Sequence, residues 1–466
     1  MKILYVNWVP TRALESTGGG VSLYQKNLLE YFSNSDDEVY YLTAGYKFNL
    51  FKKKTYIRQL QSKIRNINEF EIVNSKILAP SYYSFNDGSL LFHSDESVNI
   101  IKQFLIKHGP FDVIHFNNLE GFPLTWLELK IFFPETKFIY SLHNYFAFCP
   151  QVNLWYRDSE NCTDFCQGER CKDCNIFPIN KTIIKINSTF ENNKFISKLV
   201  NKLKRRFKYL LNKIHKQPPL KVDEETNNVF LVRRSSIVDL CNENIDVFLS
   251  VSKRVKEIAI HYGLNQEKNR VLYIGTKHSK NRTRKPLNVD NNLTICYMGY
   301  MRADKGFYFF LSCLNEMPCV ISKKLKVIIA APNTDPMAMN LLKSIKNKFL
   351  DFHFCDGYNQ TQIPSILREV ELGIIPVQWE DNLPQIAYEF VCNGVPILTS
   401  DLGGAHELSN NKSFVFKSNS KLDFINKIKY FIEDKNRLEA YWDSLQEQCF
   451  KTIEAHGEEL KELYKT

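Results

Sequence analysis

Three observations predict an α/β fold made of two consecutive parallel-sheet domains. Short apolar runs alternate with amphipathic helical patterns along the chain, as repeated βαβ units require. The alternation stops in a polar, basic stretch, Lys277–Pro286, and then begins again. At 466 residues the chain has room for two or three domains of roughly 150 residues each.

The strands expected in the first domain are Lys2–Val9, Val39–Thr43, Val113–Phe116, Lys137–Leu142, Val247–Val251 and Val271–Ile274. In the second they are Thr294–Met298, Lys326–Ala331, Asp351–Cys355, Leu372–Pro376 and Pro396–Thr399. Apolar runs without polar alternation are typical of strands covered by helices on both faces. The expected organisation is a first Rossmann-like domain over 1–285, a second over 286–440, and a charged helical tail over 441–466.

Composition narrows the class. Hydrophobic residues are 44% and charged residues 24%, ordinary for a folded soluble chain, and 18 Gly with 17 Pro exclude collagen-like or long low-complexity structure. No run approaches the ~18 apolar residues of a membrane span. The N-terminal MKILYVNWVP has too short an apolar core for an export signal and no small-residue cleavage site. It reads as a first strand, and the expected location is the cytoplasm. The formal net charge of +10 favours an anionic partner: nucleic acid, acidic lipid or a phosphorylated substrate.

Two segments break the alternation. Five of the twelve cysteines lie between Cys149 and Cys174. Cys162, Cys166, Cys171 and Cys174 are compact enough to wrap one structural zinc, and the closing Cys-x2-Cys is usual for such a site. The other reading is a reduced, metal-free thiol loop. A closed four-thiolate zinc would be structural, with no open position for catalysis. The second segment, 194–216, has helical apolar spacing (Ile196, Leu199, Leu203, Phe207, Leu210, Ile214) opposite Lys198, Lys202, Arg205, Lys208 and Lys213. From 181 to 221 there are twelve Lys and Arg and one acid, Glu191. Such a helix suits an anionic membrane surface at the inner face of the cell membrane, or a core-facing helix with a solvated basic face.

The chemistry-bearing motifs come next. Gly18, Gly19 and Gly20 follow the first strand and precede an amphipathic helix, where glycines let backbone N–H groups approach a phosphate. The spacing differs from the G-x-G-x-x-G of dinucleotide enzymes. Between a strand and the helix starting near Phe307, Arg302 and Lys305 stand where doubly wound folds bind ligands, and both suit a pyrophosphate. Asp381 and Glu389 form an acid-x7-acid pair; a carboxylate can accept from two vicinal hydroxyls of a sugar or ribose. Gly403 and Gly404 offer a second backbone cradle. Ser252 reads as a helix N-cap ahead of Arg254–Tyr262.

Together these elements resemble the family-4 retaining glycosyltransferases. The resemblance runs from the glycine loop at 18–20 through the Ser-Leu-His-Asn strand to the acid pair and Gly403-Gly404. It implies a GT-B fold, in which two Rossmann-like domains face each other across a cleft. The first would bind the acceptor and the second the nucleotide sugar, and the last helix would cross back onto the first domain. It implies catalytic roles for His143, Asp381 and Lys305, with His143 beside the donor sugar. Gly19, Gly20, Arg302, Lys305, Gly357, Tyr358, Glu389, Gly403 and Gly404 would bind the donor nucleotide. Glu389 would meet the ribose, and Gly357-Tyr358 the base. The family usually has an arginine where this chain has Tyr300, so that role passes to Arg302, and it has Glu where this chain has Asp381.

The implied reaction transfers a sugar from a nucleoside-diphosphate donor to a hydroxyl, with retained configuration and no metal cofactor. The acceptor expected from the basic charge is a lipid-linked glycan in bacterial surface polysaccharide assembly, with no nucleic-acid partner. Two alternatives stay open. One is another GT-B activity, nucleotide-sugar epimerase or phosphorylase; the other is a non-enzymatic binder of membrane or nucleic acid.

Overall fold

Ile3–Val6 and Val113–Phe116 are almost wholly inaccessible to solvent, which explains runs with no polar alternation: both sheet faces are covered. The computed structural model describes residues 1–14, 17–52, 54–85, 91–92, 95–157, 159–174, 181–190, 224–277, 284, 287 and 292–466. The basic helix expected over 194–216 and most of the linker near 285 lie outside these residues.

The first sheet contains β1 (Lys2–Asn7), β2 (Glu38–Lys47), β3 (Tyr56–Leu60), β4 (Ile67–Val73), β5 (Val113–Phe116) and β6 (Lys137–Leu142). After a small antiparallel hairpin of β7 (Trp155–Tyr156) and β8 (Glu160–Asn161), β9 (Val247–Ser250) and β10 (Asn269–Val271) complete it. Its order is β10-β9-β6-β5-β1-β2-β4-β3, parallel throughout except for the β3–β4 pair. β11 (Gly275–Thr276) leads out of this domain. The second sheet has β12 (Leu293–Met298), β13 (Leu325–Ala331), β14 (Asp351–Asp356), β15 (Leu372–Ile375), β16 (Ile397–Ser400) and β17 (Val415–Phe416). Its order, β14-β13-β12-β15-β16-β17, is wholly parallel.

The helices that matter for the site are α1 (Gly19–Phe32), α2 (Lys253–His261), α3 (Phe307–Glu316), α4 (Gln385–Cys392) and α5 (Ile453–Lys465). The last returns to the first domain. Its Tyr464 hydroxyl lies 3.0 Å from that of Tyr5, and Lys137 donates to Leu463 O at 2.6 Å. Gly457 allows the close approach of α5 to α1, since a Cβ there would sit 2.2 Å from the Tyr31 ring. β18 (Lys451–Thr452) pairs with β11 just before α5, tying the exit of the first domain to the returning tail.

Several expectations change. The strand expected over Val271–Ile274 ends at Val271, and Leu272 N–H bonds Ser250 O beyond the ladder. The tail is not one helix. Leu445 bridges Ser409, and Gln446 N–H bonds Leu408 O, which interrupts the α-helix until Ile453, with only one 3-10 turn, Glu447–Cys449, between. β3 and β4 were not expected, because β4 carries Glu69 and Glu71. Both are buried: Glu69 accepts from Thr11 N–H at 2.9 Å, and Glu71 pairs with Arg12 and Arg58 at 2.8 and 2.6 Å.

Candidate functional site

The strands' C-terminal ends carry the loops that meet between the two sheets. After β1, Gly18 adopts φ 84° and α1 begins without a side-chain cap, so its first N–H groups have no partner of that kind. A Cβ on Gly18 would lie 2.1 Å from Ser22 Oγ. Gly20 reaches the other domain, where Gln385 Nε2 lies 3.5 Å from its carbonyl. Gln385 opens α4, and Glu389 lies one turn on along the same helix face. The glycine loop and the second acid therefore approach from opposite domains.

Lys305 and Asp381 form the centre. Lys305 Nζ donates to Asp381 Oδ2 at 2.6 Å and stands 4.9 Å from the centroid of the Trp379 ring. Asp381 is buried. Lys305 is held in place by Gly306, whose φ of 72° turns the chain into α3 against the second sheet; a Cβ there would fall 1.5 Å from Pro376 O. Arg302 is turned onto Asp304 through two hydrogen bonds of 2.9 and 2.8 Å. Its charge is thus partly matched within its own loop.

Glu389 is buried, and burial pushes its carboxyl up to about 7. Burial pushes the Tyr358 phenol up, and the nearby Glu389 carboxylate adds to the shift. Gly357 ends β14 with φ 74° and its N–H on Ala331 O. His143 follows β6, packed on the Tyr24 ring at 4.6 Å between centroids, with Nε2 3.2 Å from Asn117 Oδ1. Burial lowers its imidazole to about 3. The neighbouring Tyr145 ring touches Trp379 across the cleft, with centroids 6.5 Å apart.

The glycine pair at 403–404 is corrected. Gly403 N–H donates to Glu380 Oε2 at 2.9 Å, and Gly404 N–H donates to Asp381 O at 2.9 Å. Their amides are engaged, so they form no second phosphate cradle. They let the loop lie against 381–382, where a Cβ on Gly403 would be 2.2 Å from Asp381 O.

The cysteine loop lies beside the end of α2, where Tyr262 donates to Cys162 O at 3.3 Å. Cys171 lies buried with Phe85 and Phe230. The Cys162 and Cys174 thiols donate to the carbonyls of Asp164 and Trp155 at 3.6 and 3.7 Å, and Cys166 is exposed. Burial pushes Cys162 to about 11 and Cys171 to about 12, which favours thiol over thiolate. Among the described residues no group of three or more His, Cys, Asp or Glu is placed to hold a metal. As placed, the four sulphurs do not fit the zinc reading.

The sequence reading missed a cross-domain latch. Ser252 caps α2 as expected, accepting from Val255 N–H, and its hydroxyl also donates to Asn382 O at 2.9 Å. The N–H groups of Lys253 and Arg254 donate to the Glu407 carboxylate at 2.9 and 2.7 Å, and Tyr273 adds a third bond at 2.7 Å. Arg254 grips Glu380. An acid eight residues before Glu389 was the visible signal, and it points to Asp381, not to Glu380.

Residues 279–447 match the family described as glycosyl transferases group 1. An uncharacterized 42.6 kDa protein in the cps region of Klebsiella pneumoniae is 24% identical over 172 residues, 36% of this chain. The match spans 42% of that relative's length. Among solved structures, HepE of Anabaena with UDP and glucose superposes with TM-score 0.56 at 14% identity, covering 100% of both chains. Sucrose-phosphate synthase of Thermosynechococcus elongatus gives TM-score 0.55 at 13% identity, covering 100% of this chain and 98% of that one. Residues 279–447 thus form a domain of the group 1 glycosyl transferases, within a chain that has the two-domain GT-B fold throughout.

Proposed function

We propose that this chain is a retaining glycosyltransferase that moves a sugar from a nucleoside-diphosphate donor to a hydroxyl of a glycan acceptor. The observation that carries this reading is the Lys305–Asp381 contact, with buried Glu389 on the adjoining helix and the glycine loop of the first domain facing it. The HepE structure holds UDP and glucose, which supports a donor of that class.

In this reading Lys305 and the N-terminus of α1 meet the diphosphate charge electrostatically, without a metal. Glu389 accepts from the ribose hydroxyls. The bond between the anomeric carbon and the phosphate oxygen breaks while the acceptor oxygen bonds that carbon on the same face. The acceptor's proton passes to the departing phosphate. Asp381 orients Lys305 and the sugar; it is not assigned as a nucleophile.

A lipid-linked glycan at the inner membrane face is the acceptor we favour. Leu50 and Phe51 are 43% and 79% exposed, beside exposed Lys52 and Lys54. The strongly basic stretch 181–221 adds attraction to anionic lipid. The relative's place in a cps region agrees with surface polysaccharide assembly. No helix among the described residues is long and apolar enough to cross a membrane.

The test begins with melting curves in UDP, GDP and ADP, where ligand at 100 times its dissociation constant adds about 2.7 kcal/mol. The nucleotide that stabilises identifies the base of the donor, and sugars carried on that nucleotide are then tried in a transfer assay with lipid-linked glycan. A product with the donor's anomeric configuration supports the proposal. Inversion, or sugar released without transfer, overturns it.

A further inference from the structure

A chain of amide side chains fixes where the ring proton of His143 sits. It starts from a donor of known sense, the Trp8 backbone N–H, which donates to Asn7 Oδ1 at 2.7 Å. Asn7 must then present its NH2 to the next group, Gln25 Oε1, 3.4 Å away. Asn117 Nδ2 donates to the same oxygen at 2.9 Å. Gln25 is fully buried, and its Nε2 has no partner. Turning that amide over would set NH2 against NH2 at two contacts, so the orphaned Nε2 belongs to the orientation seen. With its NH2 committed to Gln25, Asn117 offers only Oδ1 to His143 Nε2 at 3.2 Å. That contact is a hydrogen bond only if Nε2 carries the proton.

We propose that Asn117 and Gln25 are positioning residues that keep the ring proton of His143 on Nε2 and leave Nδ1 as the ring's hydrogen-bond acceptor. The ionisable groups around the imidazole do not disturb this state. Tyr24 of α1 packs on its face, while His115 of β5 and His456 of α5 interact with it electrostatically. Burial keeps both histidines neutral and holds the Tyr24 phenol protonated. Gln25 and Tyr24 both stand on α1, so the helix that begins at the glycine loop also sets the plane and polarity of His143. Resting on the glycosyltransferase reading above, the consequence is specific: His143 accepts from a hydroxyl of the bound sugar through Nδ1 and supplies no proton to the leaving group.

The test is nitrogen NMR of the whole 466-residue chain labelled at histidine, with the His143 signal assigned by its loss in His143→Gln. The free wild-type protein is expected to show a protonated Nε2 and an unprotonated Nδ1 from pH 5.5 to 8.5, without titration. A proton on Nδ1, or an imidazolium in that range, overturns the proposal. Asn117→Leu removes the acceptor and is expected to mix the tautomers and lower kcat/KM about tenfold. Asn117→Asp keeps an acceptor and is expected to hold the proton on Nε2. Its carboxylate favours the imidazolium, so the His143 nitrogen signals should titrate in this variant where those of the wild type do not. An unchanged tautomer ratio in Asn117→Leu also overturns it. The NMR arm needs no substrate, so failure of the glycosyltransferase reading would appear separately, as absence of transfer with the tautomer intact.

Discussion

Arg254 and Glu380 join the two domains through a two-pronged ion pair, with Nη2 2.6 Å from Oε1 and Nε 3.0 Å from Oε2. Each prong sits beside a second restraint: Glu380 also accepts from Gly403 N–H, and the Arg254 backbone N–H is bound by Glu407. Arg254→Ala leaves Glu380 buried with that single amide. The cost is expected to be about 1–2 kcal/mol, less than the ~3–5 of a fully buried pair, because the Arg254 side chain is 37% exposed. Thermal unfolding should show a lowered Tm, and Arg254→Ala combined with Glu380→Gln should recover part of it. A Tm equal to wild type in the single variant would remove the latch as a stabilising contact.

Glu389 gives nucleotide binding a pH dependence. Burial raises its carboxyl from the ordinary 4.5 to about 7, so the group is substantially protonated just below neutrality. Ribose hydroxyls donate more strongly to the charged form, whose two oxygens are both acceptors and carry no competing proton. Affinity for the nucleoside diphosphate is therefore expected to rise as pH increases from 6 to 8. Glu389→Gln should flatten this dependence and weaken binding at pH 8 by about 10- to 100-fold, the range of hydrogen bonds to a charged group. Calorimetric titration of both proteins at pH 6, 7 and 8 checks it, and a pH-independent wild type would refute the assignment.

What the sequence disclosed depended on whether a residue's role was local. Val113–Phe116 and Lys137–Leu142 match β5 and β6 end to end, since a strand buried on both faces is mostly apolar and lacks polar alternation. β4 escaped notice because Glu69 and Glu71 look like surface residues until Thr11, Arg12 and Arg58 are seen beside them. The same limit governs the site. Glycine loops and acid spacing can be read along the chain, but the Lys305–Asp381 contact spans 76 residues and the Arg254–Glu380 pair spans 126. Gly403 and Gly404 carried the right local signal for a phosphate cradle, yet their amides turn to Glu380 and Asp381, partners no local pattern indicates.

The glycine at 306 is expected to be intolerant of any side chain. Its φ of 72° lies in the left-handed region, and a Cβ would overlap Pro376 O at 1.5 Å, a backbone atom of a loop anchored by β15. Neither side has a flexible end that can give way. Gly306→Ala should therefore destabilise by several kcal/mol, of order 3 or more, comparable with severe backbone strain plus overpacking. Gly19→Ala has the same sign of φ but nothing within 4 Å of its Cβ, so it should cost about 1 kcal/mol. Chemical denaturation of the two variants measures the contrast, and equal losses would contradict it.

Removing the charge of Asp381 should separate binding from turnover in opposite directions. In the free protein its carboxylate takes up the Lys305 ammonium at 2.6 Å, in a partly buried setting where the pair is weakly screened. A diphosphate entering the cleft competes with Asp381 for that ammonium. Asp381→Asn keeps the shape and removes the competitor, so nucleoside diphosphate is expected to bind several-fold more tightly. Transfer should nevertheless fall by about 100-fold, because Lys305 loses the partner that aims it and the sugar loses a charged acceptor. Lys305→Ala should weaken binding and turnover together, and it leaves Asp381 as an unpaired acid where the diphosphate would lie. Calorimetry with the nucleotide and steady-state rates on the same three proteins measure both quantities. Weaker nucleotide binding by Asp381→Asn would mean that Asp381 positions Lys305 for the ligand and does not compete with it.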